Sequence, residues 1–528
     1  MSNAGITSPG GLSVSAATAT PVTAAATEAA NGAAVRANGG PAPAPLLSSG
    51  AAPAASGLLT PGEFHAFQAD GATFLYLVPS AAIFRMDDAS LAVLRALETA
   101  NRTPAELVQR LEDRFPAEEV TNRIDELLGL RAIGLLGKPA PAPPDMLPPK
   151  GFPLTTMVLN VTSKCNLACT YCYEYGDDRI VEADSKPRYM DLETARESVD
   201  FMFEQGGSNR LVHLTFFGGE TLLNFKLLKS TTAYARQRAR EVGKEVDFSL
   251  TTNATLLKPE IVDWLAENRV GVTVSIDGPR EVQDGLRVFS NGMGSYDIIL
   301  PKIKDLLARH RTRPIGARVT LTSQNLDVKH IIRHLTEEIG FWEVGFAPVT
   351  SSSCRDFSIS DAGYDKMLGQ FEELAHDFLK HACADRHHGF SNVKDTLEEI
   401  HKGVSKAYPC GAGLGLMGVA TDGDVALCHR FAGSDEHKIG SVSEGVDVDV
   451  QYDYLKKHHI NSKTDCRTCW ARPICAGGCY HEAHTRYGTT ATPNLHFCEW
   501  VRSWTDTCLR VYGAISERNP AFLARFDA

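Results

Sequence analysis

The chain has 528 residues, 43% of them hydrophobic, with a formal net charge of −11 and a pI near 5.9. That length predicts about three or four domains with ample material for large cores. The acidic balance argues against nucleic acid as the main partner, because phosphate binding needs basic patches. No run of eighteen apolar residues and no charged-then-apolar leader occurs, so neither a membrane span nor a secretory signal is expected. Thirteen cysteines, most beyond residue 400 and several in CxxC-type spacing, point to metal binding in a reducing, cytoplasmic setting rather than to disulfides.

Residues 1–56 are rich in Ala, Ser, Thr, Pro and Gly and are expected to be disordered, since they cannot bury enough apolar surface to offset chain entropy. Residues 57–138 begin with short strand-like runs, "EFHAFQADGATFLYLVPSAAIFRMD", with a turn at Asp70-Gly71. Three helical stretches follow. Thr103 with Glu106 forms a capping-box pattern at the second, and Pro116 opens the third. Strands followed by three helices suggest a winged-helix-like unit. A proline-rich linker, 139–153, comes next.

Over 154–360, six apolar strands alternate with helices: 155–161, 211–217, 246–252, 271–276, 315–322 and 343–348. This predicts an α/β fold with a parallel sheet, a partial (β/α)6 TIM-like barrel with one open side. Active residues should gather after the C-terminal strand ends. Bridging helices are expected within 361–405. Residues 406–510 lose the rhythm and become loop-rich with Cys and Gly, as in a fold stapled by metal, and 511–528 form a tail.

Immediately after the first barrel strand, "SKCNLACTYCYEYG" places Cys165, Cys169 and Cys172 in one loop. A four-iron cubane normally takes four cysteines. Three leave one iron open, as a catalytic metal site requires. The simpler alternative is zinc with a distant fourth ligand.

In its place after strand one, with Tyr171 before the third cysteine, this loop resembles that of the radical S-adenosylmethionine (SAM) superfamily. The resemblance implies that the open iron of a [4Fe–4S] cluster binds the amino and carboxylate groups of SAM. It further implies a 5′-deoxyadenosyl radical that takes hydrogen from the substrate, with the protein positioning the reactants. "FFGGETLL" resembles the family's Gly-Gly-Glu motif: Gly218 and Gly219 would let backbone approach SAM, and Glu220 would accept from its ammonium. Thr221 stands where proline is usual, and a Gly-Gly turn alone could be mere punctuation. "SLTTNATLL" would bring Asn253 to SAM, with Ala254 where glycine is common. Ser275 and Arg287, from "VSIDGP" and "LRVFSNGMGSYD", would hold the SAM carboxylate. Alone, Arg287 would read as a surface residue and Asp277-Gly278 as a turn.

Seven C-terminal cysteines in order resemble a SPASM domain with two auxiliary iron–sulfur clusters. By that resemblance Cys466, Cys469, Cys475 and Cys498 ligate one cluster, and Cys410, Cys428 and Cys479 contribute to the other. The second set is one ligand short. Cys354, Cys383 and Cys508 are spare thiols, one of which could complete it; a substrate thiolate could do so instead. A zinc ribbon is the alternative. "HEAH" at 481–484 departs from the HExxH protease pattern, so His481 and His484 read as structural or solvent-facing.

SPASM-bearing radical SAM enzymes mostly modify peptides, and 57–138 resembles their peptide-recognition domain, to which a leader peptide would add a strand at an open sheet edge. An interdomain scaffold is the plainer reading. "TFLYLVPSAAIFRMD", "LNVTSKCNLACTYCYEYG" and "CHRFAGSDEHKIG" most resemble maturation proteins of quinohemoprotein amine dehydrogenase. That family implies intrapeptidyl thioethers from Cys sulfur to a methylene of Asp or Glu in the dehydrogenase small subunit. An electron donor such as flavodoxin or ferredoxin is also implied, with neither nucleic acid nor membrane as partner. The substrate base is unassigned, Asp277 being one candidate. Rival readings are a sulfatase maturase forming formylglycine, a maturase of another ribosomal peptide, and a non-catalytic iron–sulfur scaffold.

Overall fold

The computed structural model describes residues 35–36, 57–137, 147–148, 150–181 and 186–527. The expectations for the N-terminal extension, apart from Val35–Arg36, and for most of the proline-rich linker lie outside the described residues.

In the first unit, Asp70 (φ 49°) and Gly71 (φ 80°) turn the chain between Phe64–Ala69 and Ala72–Leu77. Two consecutive left-handed residues match the twist of a tight hairpin. Ala82–Arg85 adds a third strand. Alternation sends the two faces of this small sheet into different cores. Leu75, Leu77 and Phe84 pack toward helices Asp88–Thr99, Pro104–Leu111 and Ala117–Gly129, whereas Phe67, Phe74, Tyr76 and Ile83 join the main core. Thr103 and Glu106 form a capping box with both reciprocal bonds. One sheet edge is engaged by the chain itself: Val35 and Arg36 pair antiparallel with Arg85 and Phe84.

Thr156–Asn160, Leu211–Phe217, Glu245–Thr252, Gly271–Ser275, Gly316–Leu321 and Glu343–Pro348 run parallel in that order, each beside the next. This is the six-stranded α/β sheet expected from the sequence, and it does not close. Val212, Leu214 and Phe216 are buried toward the helices, while their neighbours His213, Thr215 and Phe217 line the lumen. The strand Gly271–Ser275 repeats this division at its end, with Val274 buried outward and Thr273 and Ser275 lining the lumen.

The sequence carries no sign of how the C-terminal region is attached. Leu416–Val419 pairs parallel with Thr156–Asn160, and three short antiparallel strands extend the sheet to ten. The first barrel strand is therefore central, and the cysteine-rich region is bolted to it. Helix Cys498–Arg518 passes residue 510 unbroken and packs on Asp361–Cys383 and Phe64–Ala69. No described helix is long and apolar enough to cross a membrane.

Candidate active site

The lumen of the sheet is a cavity of about 1050 Å³. Cys165, Cys169 and Cys172 lie at the C-terminal strand ends and line it. Their loop is held by backbone from two directions. Ala168 and Thr170 donate to the carbonyls of Val288 and Leu286 at 2.7 and 3.0 Å. Gly219 N donates to Thr162 O at 3.0 Å and Glu220 N to Lys164 O at 2.8 Å. A Cβ on Gly218 would run into Thr162 O, and one on Gly219 into Lys164 O and the Tyr175 hydroxyl. The two glycines thus seat the cysteine loop on the second strand. Burial pushes the Cys165 and Cys172 thiols up to about 12 and 11. Metal binding would have to displace those protons.

The remaining expected SAM residues surround this loop. Glu220 is 1% exposed and accepts from Leu222 N, Thr252 Oγ1 and Asn253 N at 3.0, 2.7 and 2.8 Å. Burial nevertheless raises its carboxyl pKa. Asn253 approaches Cys165 Sγ at 3.8 Å and donates to Asn166 Oδ1 at 3.1 Å. Ala254 has φ 63°, the left-handed conformation that explains why glycine is common there. Ser275 ends its strand and lines the lumen.

Arg287 does not stand as a free carboxylate clamp. Its Nε and Nη2 donate to Asp277 at 2.9 and 3.2 Å, and it lies over the Tyr171 ring at 5.5 Å. It also lies against Cys169. Asp277 is fully buried and accepts additionally from the Tyr171 hydroxyl and from Thr320 N at 3.0 Å. Four donors occupy its oxygens, which corrects its candidacy as a substrate base: it is a hub that fixes Tyr171 and Arg287 beside the cysteine loop.

The other cysteines form two sets. Cys410, Cys428 and Cys479 interact with one another, as do Cys466, Cys469, Cys475 and Cys498. The one group of three candidate ligand atoms within 4.8 Å among the described residues is Glu436, His437 and His484, with no cysteine in it. A zinc ion with bonds of about 2.3 Å would need its sulfurs about 3.8 Å apart. No three cysteine sulfurs among the described residues lie within 4.8 Å of one another. Cys508 is packed in the core against Thr396, and Cys354 is exposed.

Arg430, Glu174 and Lys463 near the site escaped the sequence reading, in which His481 is only structural or solvent-facing. Arg430 lies over the Tyr173 ring at 4.5 Å and donates to Thr350 Oγ1 at 2.8 Å, both on the cavity wall. Glu174 lines the cavity, and burial pushes its carboxyl up to about 7. His481 is 1% exposed, edge-on to Tyr173 at 5.2 Å, and burial holds it neutral. Lys463 is 3% exposed and feels thiols of both C-terminal sets. An isolated Arg, Glu or Lys outside any motif carries no signal in a single sequence.

The pattern described as the Radical SAM superfamily matches residues 159–335. The chain is 25% identical over 377 residues to a cysteine-type anaerobic sulfatase-maturating enzyme of Clostridium novyi (strain NT), covering 67% of this chain and 94% of that one. It is 26% identical over 375 residues to a serine-type anaerobic sulfatase-maturating enzyme of Bacteroides thetaiotaomicron, covering 66% and 87%. Among solved structures it is similar to native anSMEcpe with bound AdoMet, with a TM-score of 0.59 and 20% identity over 69% of this chain and 100% of that one. That likeness speaks for the fold. With the cysteine loop, the glycine seat and the six parallel strands in place, the match establishes that this chain carries a radical SAM domain.

Proposed function

We propose that the chain is a radical SAM enzyme that modifies a peptide or protein. Its reaction, on this reading, joins a cysteine sulfur to a methylene carbon of Asp or Glu in the small subunit of quinohemoprotein amine dehydrogenase. The observation that supports this most is that one open-sided lumen collects both kinds of cysteine segment. The Cys165–Cys172 loop lies at its strand ends, and His429 and Arg430, directly after Cys428, line its wall. A peptide entering from the open side can reach both.

Cys165, Cys169 and Cys172 would hold a [4Fe–4S] cluster, which with SAM supplies a carbon radical able to take hydrogen from an unactivated carbon. Glu220, bonded to Asn253 N, fixes the third-strand exit against Cys165. The Asp277 hub fixes Arg287 against Cys169. The two C-terminal sets would hold auxiliary clusters, the Cys410 set one protein ligand short. Residues 57–138 would present the peptide, and an external donor of the flavodoxin or ferredoxin class would supply electrons.

The test is anaerobic co-expression with the dehydrogenase small subunit and mass spectrometry of the product. Loss of two hydrogens per crosslink is expected. The names of the two relatives favour a second reading, sulfatase maturation. Conversion of a sulfatase peptide to formylglycine, with the small subunit unchanged in mass, would move the conclusion there.

A further inference from the structure

Six Arg and Lys side chains line the barrel cavity. Arg210 pairs with Glu245, Arg287 with Asp277, Arg313 with Asp247 and Lys402 with Glu398. Arg430 has the Thr350 hydroxyl and the Tyr173 ring. Arg318 differs: its guanidinium has no hydrogen bond or ion pair to any described residue. The charges acting on it are Arg430, which repels it, and Asp395, which attracts it.

Arg318 lies in the middle of Gly316–Leu321, in register with Ser275 on one side and Gly345 on the other. Registered residues of parallel strands share a face, so these three form a row across the lumen wall. Gly345 makes the room: a Cβ there would lie 3.0 Å from Arg318 Nη1. The Arg318 side chain is exposed to the lumen, so its guanidinium is open to an acceptor that enters the cavity. Its planar fork matches a carboxylate, and the other fork of the site, Arg287, is already committed to Asp277.

We propose that Arg318, with the Ser275 hydroxyl beside it, is a carboxylate-binding site in the barrel wall. Two carboxylates can reach it, the acidic side chain of a peptide substrate and the α-carboxylate of SAM; the first deepens the proposed function and rests on it. Depth favours the peptide. Thr320, two residues along the strand, donates to the Asp277 hub beside Cys169. At about 3.3 Å per residue, Arg318 lies about 6.6 Å deeper. An Asp or Glu gripped there leaves its methylene between the guanidinium and the cysteine loop.

The experiment uses the full chain, reconstituted anaerobically, in four forms: wild type, Arg318→Gln, Arg318→Lys and Gly345→Ala. Calorimetry measures the affinity for SAM and, separately, for a short Asp-containing peptide and its Asn analogue. Iron content and thermal midpoint check folding. Wild type is expected to prefer the Asp peptide by about tenfold or more, the scale of a charge-assisted pair. Arg318→Gln loses that preference and Arg318→Lys keeps part of it. Gly345→Ala, which crowds the guanidinium without removing it, shifts the preference in the same direction and stands in should Arg318→Gln not fold. A drop of about tenfold in SAM affinity, with peptide preference unchanged, supports the site with SAM as occupant. Unchanged SAM affinity together with an Asp preference that is absent in wild type, or equal in all forms, overturns it. Failure of the thioether reading shows separately, as an unmodified small subunit with the carboxylate preference intact.

Discussion

Arg287 reaches the two carboxylate oxygens of Asp277 through Nε and Nη2, at 2.9 and 3.2 Å, and Asp277 has no exposed surface. Removing one partner of such a buried pair costs about 3–5 kcal/mol, because the other charge is stranded. Asp277→Asn is therefore expected to lower the thermal midpoint. It should also lower the iron bound at Cys165, Cys169 and Cys172, since Leu286 O and Val288 O anchor the cysteine loop on either side of Arg287. Asp277→Asn combined with Arg287→Met should recover much of the midpoint without recovering SAM cleavage, measured as 5′-deoxyadenosine. Full cleavage in the double variant would remove the pair from the site.

Gly219 offers a sharper backbone test. A methyl group there would meet the Lys164 carbonyl, which is main chain and cannot swing aside, as well as the Tyr175 hydroxyl. Gly219→Ala should displace the cysteine loop and reduce iron at the N-terminal set severalfold. The C-terminal sets, distant in the chain and held by other elements, should fill normally. Iron counting alongside electron paramagnetic resonance of the reduced protein separates the two. Equal filling of all sets would show that the loop tolerates the shift.

The barrel was legible because its strands are short apolar runs separated by helical periodicity, and such local patterns survive in a single sequence. The cysteine loop was legible for a different reason: its chemistry demands fixed spacing. The Asp277 hub was not, since Tyr171, Asp277, Arg287 and Thr320 come from four separate segments and meet only in the folded sheet. The same holds for the pairing of Leu416–Val419 with Thr156–Asn160, which spans some 260 residues and leaves no local trace. Arg318 reads as an ordinary strand charge until Gly345 and Ser275 are seen beside it.

Asp395, on the cavity wall, carries a titration that stability should report. Burial, with Glu343 and Glu398 nearby, pushes its carboxyl up to about 6 against the opposing pull of Lys394 and Arg318. A carboxyl raised in the folded state penalises folding above that value, and the penalty fades as pH falls from about 6 to about 4. Asp395→Asn removes it, so the variant should be more stable than wild type at pH 7.5 by about 1–2 kcal/mol, allowing for solvent screening. The difference should shrink to nothing near pH 4. Denaturant unfolding of the two proteins across this range measures it, and a constant difference at all pH values would assign the effect to packing instead.

His65 joins the first unit to the cysteine-rich region. Its ring stacks on Trp470 at 3.7 Å between centroids, and its Nε2 lies 2.7 Å from Asp506 Oδ1. Trp470 directly follows Cys469, so this stack ties the small sheet to one of the C-terminal cysteine sets. Replacing His65 by Ala loses a contact of about 0.5–1.5 kcal/mol, too little to unfold the chain but enough to loosen the docking. Hydrogen exchange should quicken in Phe64–Ala69. If the first unit presents the peptide to the barrel, crosslinking of the small subunit should fall severalfold while SAM cleavage without peptide stays at the wild-type rate. If the unit only braces the fold, both rates should move together with the thermal midpoint. The expected outcome is the first, because none of the unit's described residues lines the cavity that holds Cys165, Cys169 and Cys172, so its route to the reaction runs through the peptide.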